Sequence, residues 1–323
     1  MRKMSLLLLQ ASMPLASRTL PKRLPLASPL ALIHLHTKTT TTIAFSSKNS
    51  PVSSSSSMSH FTHSLTLPIQ PHLPVQITAA PGVSDSEFRI AIGSSLFNKW
   101  LNNLQSETGI LANGTMLLHR VLIQGVDMFG RRVGFLKFKA DIIDKETGNK
   151  VPGIVFARGP AVAVLILLQS EGETFAVLTE QARVPTGKVV LELPAGMLDD
   201  ENNDIVGTAV REVEEETGIN LKLQDMIDLT AFLDASTGHR VFPSPGGCDE
   251  EISLFLYRGH VDREIITQLQ GKETGLRDHG ELINVRVVPY EKLWRMTADA
   301  KVLMAVSLYE MAKKDGLLPH SEC

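Results

Sequence analysis

Leu193–Ile219 reads LPAGMLDDENNDIVGTAVREVEEETGI, and its second half decides the fold. Val206, Ala209, Val210 and Val213 recur at helical spacing, so the segment can bury one apolar stripe as a helix and gather Glu212, Glu215 and Glu216 on another face. Gly218 ends that helix, because glycine accepts the left-handed backbone that a C-terminal stop often needs. Carboxylates spaced three and four residues apart repel one another unless a positive charge sits between them. A hard divalent cation, Mg²⁺ or Mn²⁺, is the natural remedy, since it takes oxygen ligands and is commonly shared between carboxylates and substrate phosphates. A merely solvated acidic face is the bland alternative.

The flanking pattern favours the cation. From Arg211 to Ile219 the chain resembles, at every position, the second half of the Nudix hydrolase signature, Arg-Glu-aliphatic-x-Glu-Glu-x-Gly-aliphatic. The first half departs from it: counting back from Arg211, the signature glutamate falls on Asn203 and its glycine on Met197, whereas the chain offers Glu201 and Gly196. One extra loop residue accounts for the offset and leaves the role of Glu201 open. The resemblance implies an α/β fold, the Nudix αβα sandwich with a mixed sheet.

It also implies a chemistry. Glu212, Glu215 and Glu216 would hold Mg²⁺, with Mn²⁺ as the other choice, assisted by the backbone carbonyl of Ala195. Arg211 would orient the glutamates through its forked guanidinium, against the bland reading of a surface pair with Glu215. A base is expected on a loop outside the signature. Glu281 is the candidate, and Asp278 and His279 compete with it. Glu180-Gln181-x-Arg183, the Leu191–Gly196 approach to the loop, and Pro243–Gly247 followed by Glu250 resemble the ADP-sugar branch of the family. Arg183, Glu250 and Gly196 are accordingly the expected substrate contacts. Pro243 lies 25 residues beyond Gly218, farther than in those relatives, so an inserted Ala235–Phe242 with Thr237, Gly238, His239 and Arg240 would reshape the rim. The implied reaction is hydrolysis of an ADP-sugar, ADP-glucose or ADP-ribose, to AMP and a sugar phosphate. NADH and oxidised nucleotides remain alternatives, as does an inactive nucleotide-binding module. A Nudix-type isomerase would need a catalytic cysteine, and nothing around Cys248 supports one.

The rest of the chain sets limits. Of 323 residues, 43% are hydrophobic and 21% charged, as in ordinary globular proteins. Two cysteines, Cys248 and Cys323, cannot build a disulfide framework. No apolar run reaches membrane-spanning length. Residues 1–84 hold seven Lys or Arg and no Asp or Glu, which leaves 25 basic against 35 acidic residues beyond them. That acidic remainder argues against nucleic-acid binding. A basic, acid-free, Ser/Thr-rich leader reads as a transit peptide over 1–64, and Thr39–Thr42 with Ser53–Ser57 favour a chloroplast. A start at Met58 would yield a cytosolic form. A disordered tail is the alternative.

Beyond the leader, Leu65–Thr78 supports an edge strand or arm, interrupted by Pro68, Pro71 and Pro74. After Asp85 the pattern changes, and Ile92, Leu96, Trp100, Leu101 and Leu104 predict a short amphipathic helix ending near Gly109. Strand-like runs follow at Leu117–Val126, Arg132–Ile143 and Val151–Arg158. Together they predict a small antiparallel subdomain over 65–156, which in ADP-sugar hydrolases of this family helps to pair two subunits, so a homodimer is implied. The Nudix domain would occupy 157–315, followed by a tail over 316–323. Within it, Ala161–Leu168 reads as a strand buried on both faces. Phe175–Thr179, Val189–Leu193, Leu221–Leu233, Ile252–Tyr257 and Ile283–Val288 read as further strands. A final helix is expected from Tyr290 to Lys313, with Leu293, Trp294, Leu303, Met304, Val306 and Leu308 in the core.

Overall fold

The computed structural model describes residues 61–198, 204–276 and 280–319, all within a compact unit spanning Ser57–Cys323. The leader residues before 61, Met58, Glu201, Asp278, His279 and Cys323 lie outside the described residues. Strands β1 (Thr62–Leu65) and β2 (Val75–Ala79) come first, as an antiparallel pair. Pro68, Pro71 and Pro74 fall between the two strands, so the proline-rich arm is a hairpin whose second strand is free of proline. That strand is interior, with Val75 and Ile77 buried.

Helices α1 (Asp85–Gly93) and α2 (Ser95–Gln105) follow. The single helix expected here is divided at Ser94, whose hydroxyl accepts from the Phe97 N–H while its own N–H closes α1 on the Ala91 carbonyl. This crossover returns the chain in its original direction, so β3 (Met116–Phe129) pairs with β2 in parallel. The sheet is therefore mixed, not purely antiparallel as the strand runs suggest. It is completed by β4 (Arg132–Asp144), β5 (Lys150–Val151) and β6 (Ile154–Ala157), with β5 and β6 both pairing with β4. Phe97 and Trp100 each pack edge to face on Phe138 in its core and lie tilted against one another, the ring centroids 4.6–5.7 Å apart.

The second sheet begins with β7 (Ala161–Ser170), whose residues 161–168 are all at most 5% exposed. Glu171 and Gly172 both have positive φ, 51° and 83°, the geometry of a two-residue hairpin turn into β8 (Glu173–Arg183). Next come β9 (Lys188–Glu192), β10 (Ala195–Met197), α3 (Ile205–Thr217), β11 (Ile227–Asp228), β12 (Ile252–His260) and α4 (Arg263–Leu269). The chain continues through β13 (Glu273–Thr274), β14 (Ile283–Pro289), α5 (Tyr290–Met296) and α6 (Ala300–Lys314). The order is β11-β12-β7-β8-β14-β13, with β10 beside β7 and β9 beside β8; β12 runs parallel to β7 and the other pairs are antiparallel.

Alternation along β7 serves two layers. Ala163, Leu165 and Leu167 pack with Leu293, Val302 and Ala305 of α5 and α6, while Val162, Val164 and Ile166 pack with Ala209 and Val213 of α3 and Ile266 and Leu269 of α4. Helices thus cover both faces, and burying each such Val, Leu or Ile contributes roughly 2 kcal/mol.

Two expected elements differ. The strand read over Leu221–Leu233 contracts to β11 because Asp228 turns the chain: its carboxylate accepts from the Thr230 and Ala231 N–H groups and the Thr230 hydroxyl. The final helix is broken at Thr297–Asp299, where Asp299 caps α6 through the Lys301 N–H. Leu293 is buried as expected, but Trp294 and Leu303 face outward, 54% and 43% exposed. Among the described residues no helix is long and apolar enough to cross a membrane.

Candidate active site

The approach to the acidic helix is a strand, not a free loop. Leu193 is fully buried, the Pro194 carbonyl accepts from Val164 N–H at 3.0 Å, and β10 pairs with β7 in the register Ala195↔Ala163, Gly196↔Val162. Ala195 turns its polar groups away from β7, and its N–H donates instead to Oε2 of Glu216 at 3.1 Å. A strand residue directs its N–H and C=O to the same side, so the Ala195 carbonyl also faces the carboxylate helix.

Helix α3 lies against β10 and β7. Its stripe is as the sequence predicts, with Ala209 and Val213 fully buried and Val206 and Val210 partly so. Gly218 caps it at φ 73°, donating to the Glu214 carbonyl, and Lys272 Nζ donates to the carbonyl of Thr217 at 3.3 Å. Glu212 is half-buried with its carboxyl group against the backbone of Gly196, where a side chain on residue 196 would overlap it. Glycine is needed there for space, not for its backbone conformation. Glu215 is half-buried, and Arg211 stands on the exposed side of α3.

Glu216 is 7% exposed, and its acidity is the dominant electrostatic feature. Burial pushes its carboxyl up to about 8; the Ala195 N–H and the Arg183 charge pull it down, and the charges of Glu212 and Glu281 push it further up. Glu212, Glu281 and Arg183 therefore all lie within electrostatic reach of Glu216. Glu281 is exposed, and its carboxylate accepts from the Leu276 N–H at 3.2 Å. The base of that loop is docked on α3, since Thr274 Oγ1 donates to the Glu216 carbonyl and Gly275 N–H to the Glu215 carbonyl.

Arg183, at the end of β8, is not an isolated cation. Its Nε and one terminal nitrogen donate to the two oxygens of Glu192 at 2.7 and 3.1 Å. Glu192 also accepts from Lys301 of α6 at 2.9 Å. Burial alone would raise the Glu192 carboxyl, but its bonds and charge pairing with Arg183 and Lys301 hold it below the usual range. Glu192 falls inside the Leu191–Gly196 approach, where sequence reasoning assigns it no role of its own, and Lys301 is missed altogether, since 109 residues separate the pair.

Glu250 lies on the loop that closes toward β6. The loop is strapped there by Phe156 N–H on the Gly247 carbonyl, and by the Asp249 carboxylate on the N–H groups of Arg158 and Gly159. Arg158, a further residue that the sequence did not single out, lies 3.4 Å from Glu250 and 3.2 Å from the Met197 sulfur. It thus links that loop to β10. In the inserted segment, His239 adopts φ 55° and Arg240 donates to its carbonyl. Burial raises the Cys248 thiol, so this cysteine is not activated.

Hard carboxylate oxygens in mutual repulsion suit a hard divalent cation and not a thiolate-seeking one. Among the described residues, no three acidic, histidine or cysteine side chains converge at ligand spacing. The donor chemistry and the repulsion at Glu216 are what fit the cation.

The NUDIX domain profile matches residues 157–306. Nudix hydrolase 14, chloroplastic, of Arabidopsis thaliana is 73% identical over 264 residues, which cover 82% of this chain and 85% of that protein. The ADP-ribose pyrophosphatase of Bacillus subtilis (strain 168) is 28% identical over 46% of this chain and 69% of its own length. A crystal structure described as an ADP compounds hydrolase aligns at TM-score 0.39 and 17% identity, over 62% of this chain and 99% of that one. Carried by the profile match and by a relative this similar over most of both chains, the assignment is direct: the chain belongs to the Nudix hydrolases, a family that generally uses divalent metal cations.

Proposed function

We propose that this hydrolase cleaves the pyrophosphate bond of ADP-sugars, ADP-glucose or ADP-ribose, with Mg²⁺, releasing AMP and a sugar phosphate. The observation that carries the reading is the buried Glu216, which accepts from the Ala195 N–H and lies within electrostatic reach of Glu212, Glu281 and Arg183. A pyrophosphate is a double anion that repels hydroxide. Glu212, Glu215, Glu216 and the Ala195 carbonyl would hold divalent cations, which would supply charge neutralisation and a more acidic water.

The chain's own residues do the rest. Arg183 grips a phosphate through the guanidinium nitrogen it does not commit to Glu192. Gly196 leaves the room that lets the Glu212 carboxyl lie against β10. Glu250, paired with Arg158, marks the sugar side. Arg211 aligns the glutamates from the outer side of α3. Glu281 takes the proton from the attacking water; its position on a loop anchored to α3 at Gly275 keeps it near Glu216. The names of the relatives support the ADP-linked substrate and a chloroplast location, to which the basic leader also points.

Purified protein with ADP-glucose, ADP-ribose, NADH and 8-oxo-dGTP, assayed for AMP with and without Mg²⁺, tests this. The expected result is magnesium-dependent AMP from the two ADP-sugars, with Glu281→Gln losing kcat about a hundredfold at nearly constant KM. AMP from NADH, or turnover of the oxidised nucleotide instead, would refute the assignments of Arg183 and Glu250. We assign a homodimer to the outer face of the first sheet, where Ile154 is 63% and Phe129 47% exposed and the Phe135 and Phe156 rings stack at 5.2 Å. Light scattering on the same preparation should give twice the chain's mass, and a monomer at micromolar concentration would exclude it.

A further inference from the structure

We propose that Lys301 of α6 is a positioning residue for substrate binding, acting through Glu192 to hold Arg183 in the orientation that meets the phosphates. The proposal rests on the reading of Arg183 as a phosphate contact.

The network is graded from a closed end to an open one. Lys301 and Glu192 side chains are 16% and 4% exposed, and Arg183 is 41% exposed. Every bond in it constrains the next. Lys301 Nζ is itself fixed by Asp299 at 3.1 Å, and Asp299 is fixed as the N-cap of α6 by the Lys301 N–H at 3.1 Å. From there Lys301 reaches Oε2 of Glu192 at 2.9 Å, the same oxygen that a terminal nitrogen of Arg183 approaches at 3.1 Å. Nε of Arg183 takes the other oxygen at 2.7 Å.

Two parallel bonds set the plane of a guanidinium only if the carboxylate beneath it cannot turn. Lys301 supplies that restraint. The backbone is held alongside, since Thr297 Oγ1, in the link between α5 and α6, donates to the Leu191 carbonyl at 2.6 Å, so two successive residues of β9 are tied to that link and to α6.

A buried ion pair is weak evidence for stability, because desolvation offsets most of the attraction and apolar replacements are often tolerated. Orientation explains this one better. The guanidinium nitrogen left over points away from a fixed carboxylate, and Arg183 and Glu216 register each other's charge. An unclamped Arg183 would have to surrender rotamer freedom when the substrate arrives, which weakens binding without altering the chemical step.

The test is a double-mutant cycle in steady-state kinetics, run on whichever nucleoside diphosphate compound the wild type hydrolyses. Lys301→Met should raise KM about tenfold with kcat within about twofold, and Lys301→Arg should bring KM back to within about threefold of wild type. In an Arg183→Ala background, Lys301→Met should change KM by less than about twofold, because the arm it positions is gone. If Lys301→Met does not fold, Lys301→Gln carries the same cycle. An unchanged KM in Lys301→Met, or KM effects that multiply in the double variant, would overturn the proposal while leaving Arg183 as a contact. An unchanged KM in Arg183→Ala would instead overturn the reading of Arg183, and the proposal with it.

Discussion

Glu212→Gln is expected to lower magnesium-dependent AMP release about a hundred- to a thousandfold while leaving the fold intact. The two expectations come from different contacts. The carboxyl of Glu212 lies flat against the Gly196 backbone, a space that an amide of the same shape fills equally well. What the amide lacks is charge, and a neutral donor in a set that must hold a divalent cation weakens both the cation and its hold on substrate phosphate. The effect should therefore appear as a raised magnesium requirement together with lost kcat, with thermal unfolding shifted by only a few degrees. Retained turnover at ordinary magnesium concentration would count against Glu212 as a ligand.

The second large effect is a dependence of stability on pH that the cation should reverse. In the folded chain Glu216 holds its proton up to about 8, whereas its ordinary value is 4.5. Between those values the folded state binds more protons than the unfolded one, so stability falls as pH rises. The contribution is complete below pH 4.5 and lost as pH passes through about 8, on the order of 5 kcal/mol at most. In EDTA, the midpoint of thermal unfolding should drop by about 10 °C from pH 5 to pH 9 on this account. Glu192 works in the opposite sense, with a depressed carboxyl whose contribution is lost only as pH falls below 4.5, outside this window.

With saturating Mg²⁺ the slope should flatten or invert, because the cation binds the ionised carboxylate and so stabilises most at high pH. Glu216→Gln should flatten the EDTA profile and be the more stable variant at pH 9. A midpoint in EDTA that ignores pH over this range would show that Glu216 ionises normally, and that its burial exerts no such pressure.

Much of this was written locally. The stripe from Val206 to Val213 and the stop at Gly218 specify α3 without help from any distant residue, because helical spacing and left-handed glycine are properties of neighbours along the chain. Ala161–Leu168 likewise specifies a strand buried on both faces, since no polar side interrupts it. Glu212, Glu215 and Glu216 could be placed on one face because helical residues three and four apart are neighbours.

Other features had no local cause. Pro-Ala-Gly reads as a loop because its β character comes from pairing with β7. The parallel pairing of β2 with β3 follows from a crossover, and the hydrophobic pattern of a strand does not encode its partner's direction. Leu221–Leu233 is apolar enough for a strand, yet Asp228 captures the backbone first. Trp294 and Leu303 fit a helical stripe only if the last helix is unbroken, and Asp299 breaks it.

What the sequence by itself determined, then, is the acidic helix, its stop, the central strand and the family that they define. Tertiary structure alone decided which carboxylate became buried, that Gly196 had to make room for Glu212, and that Arg183 would be held by Glu192 and Lys301. The physical reason is common to all three: burial and pairing are set by residues that meet in space from strands and helices up to 109 residues apart, and no spacing rule along the chain records them.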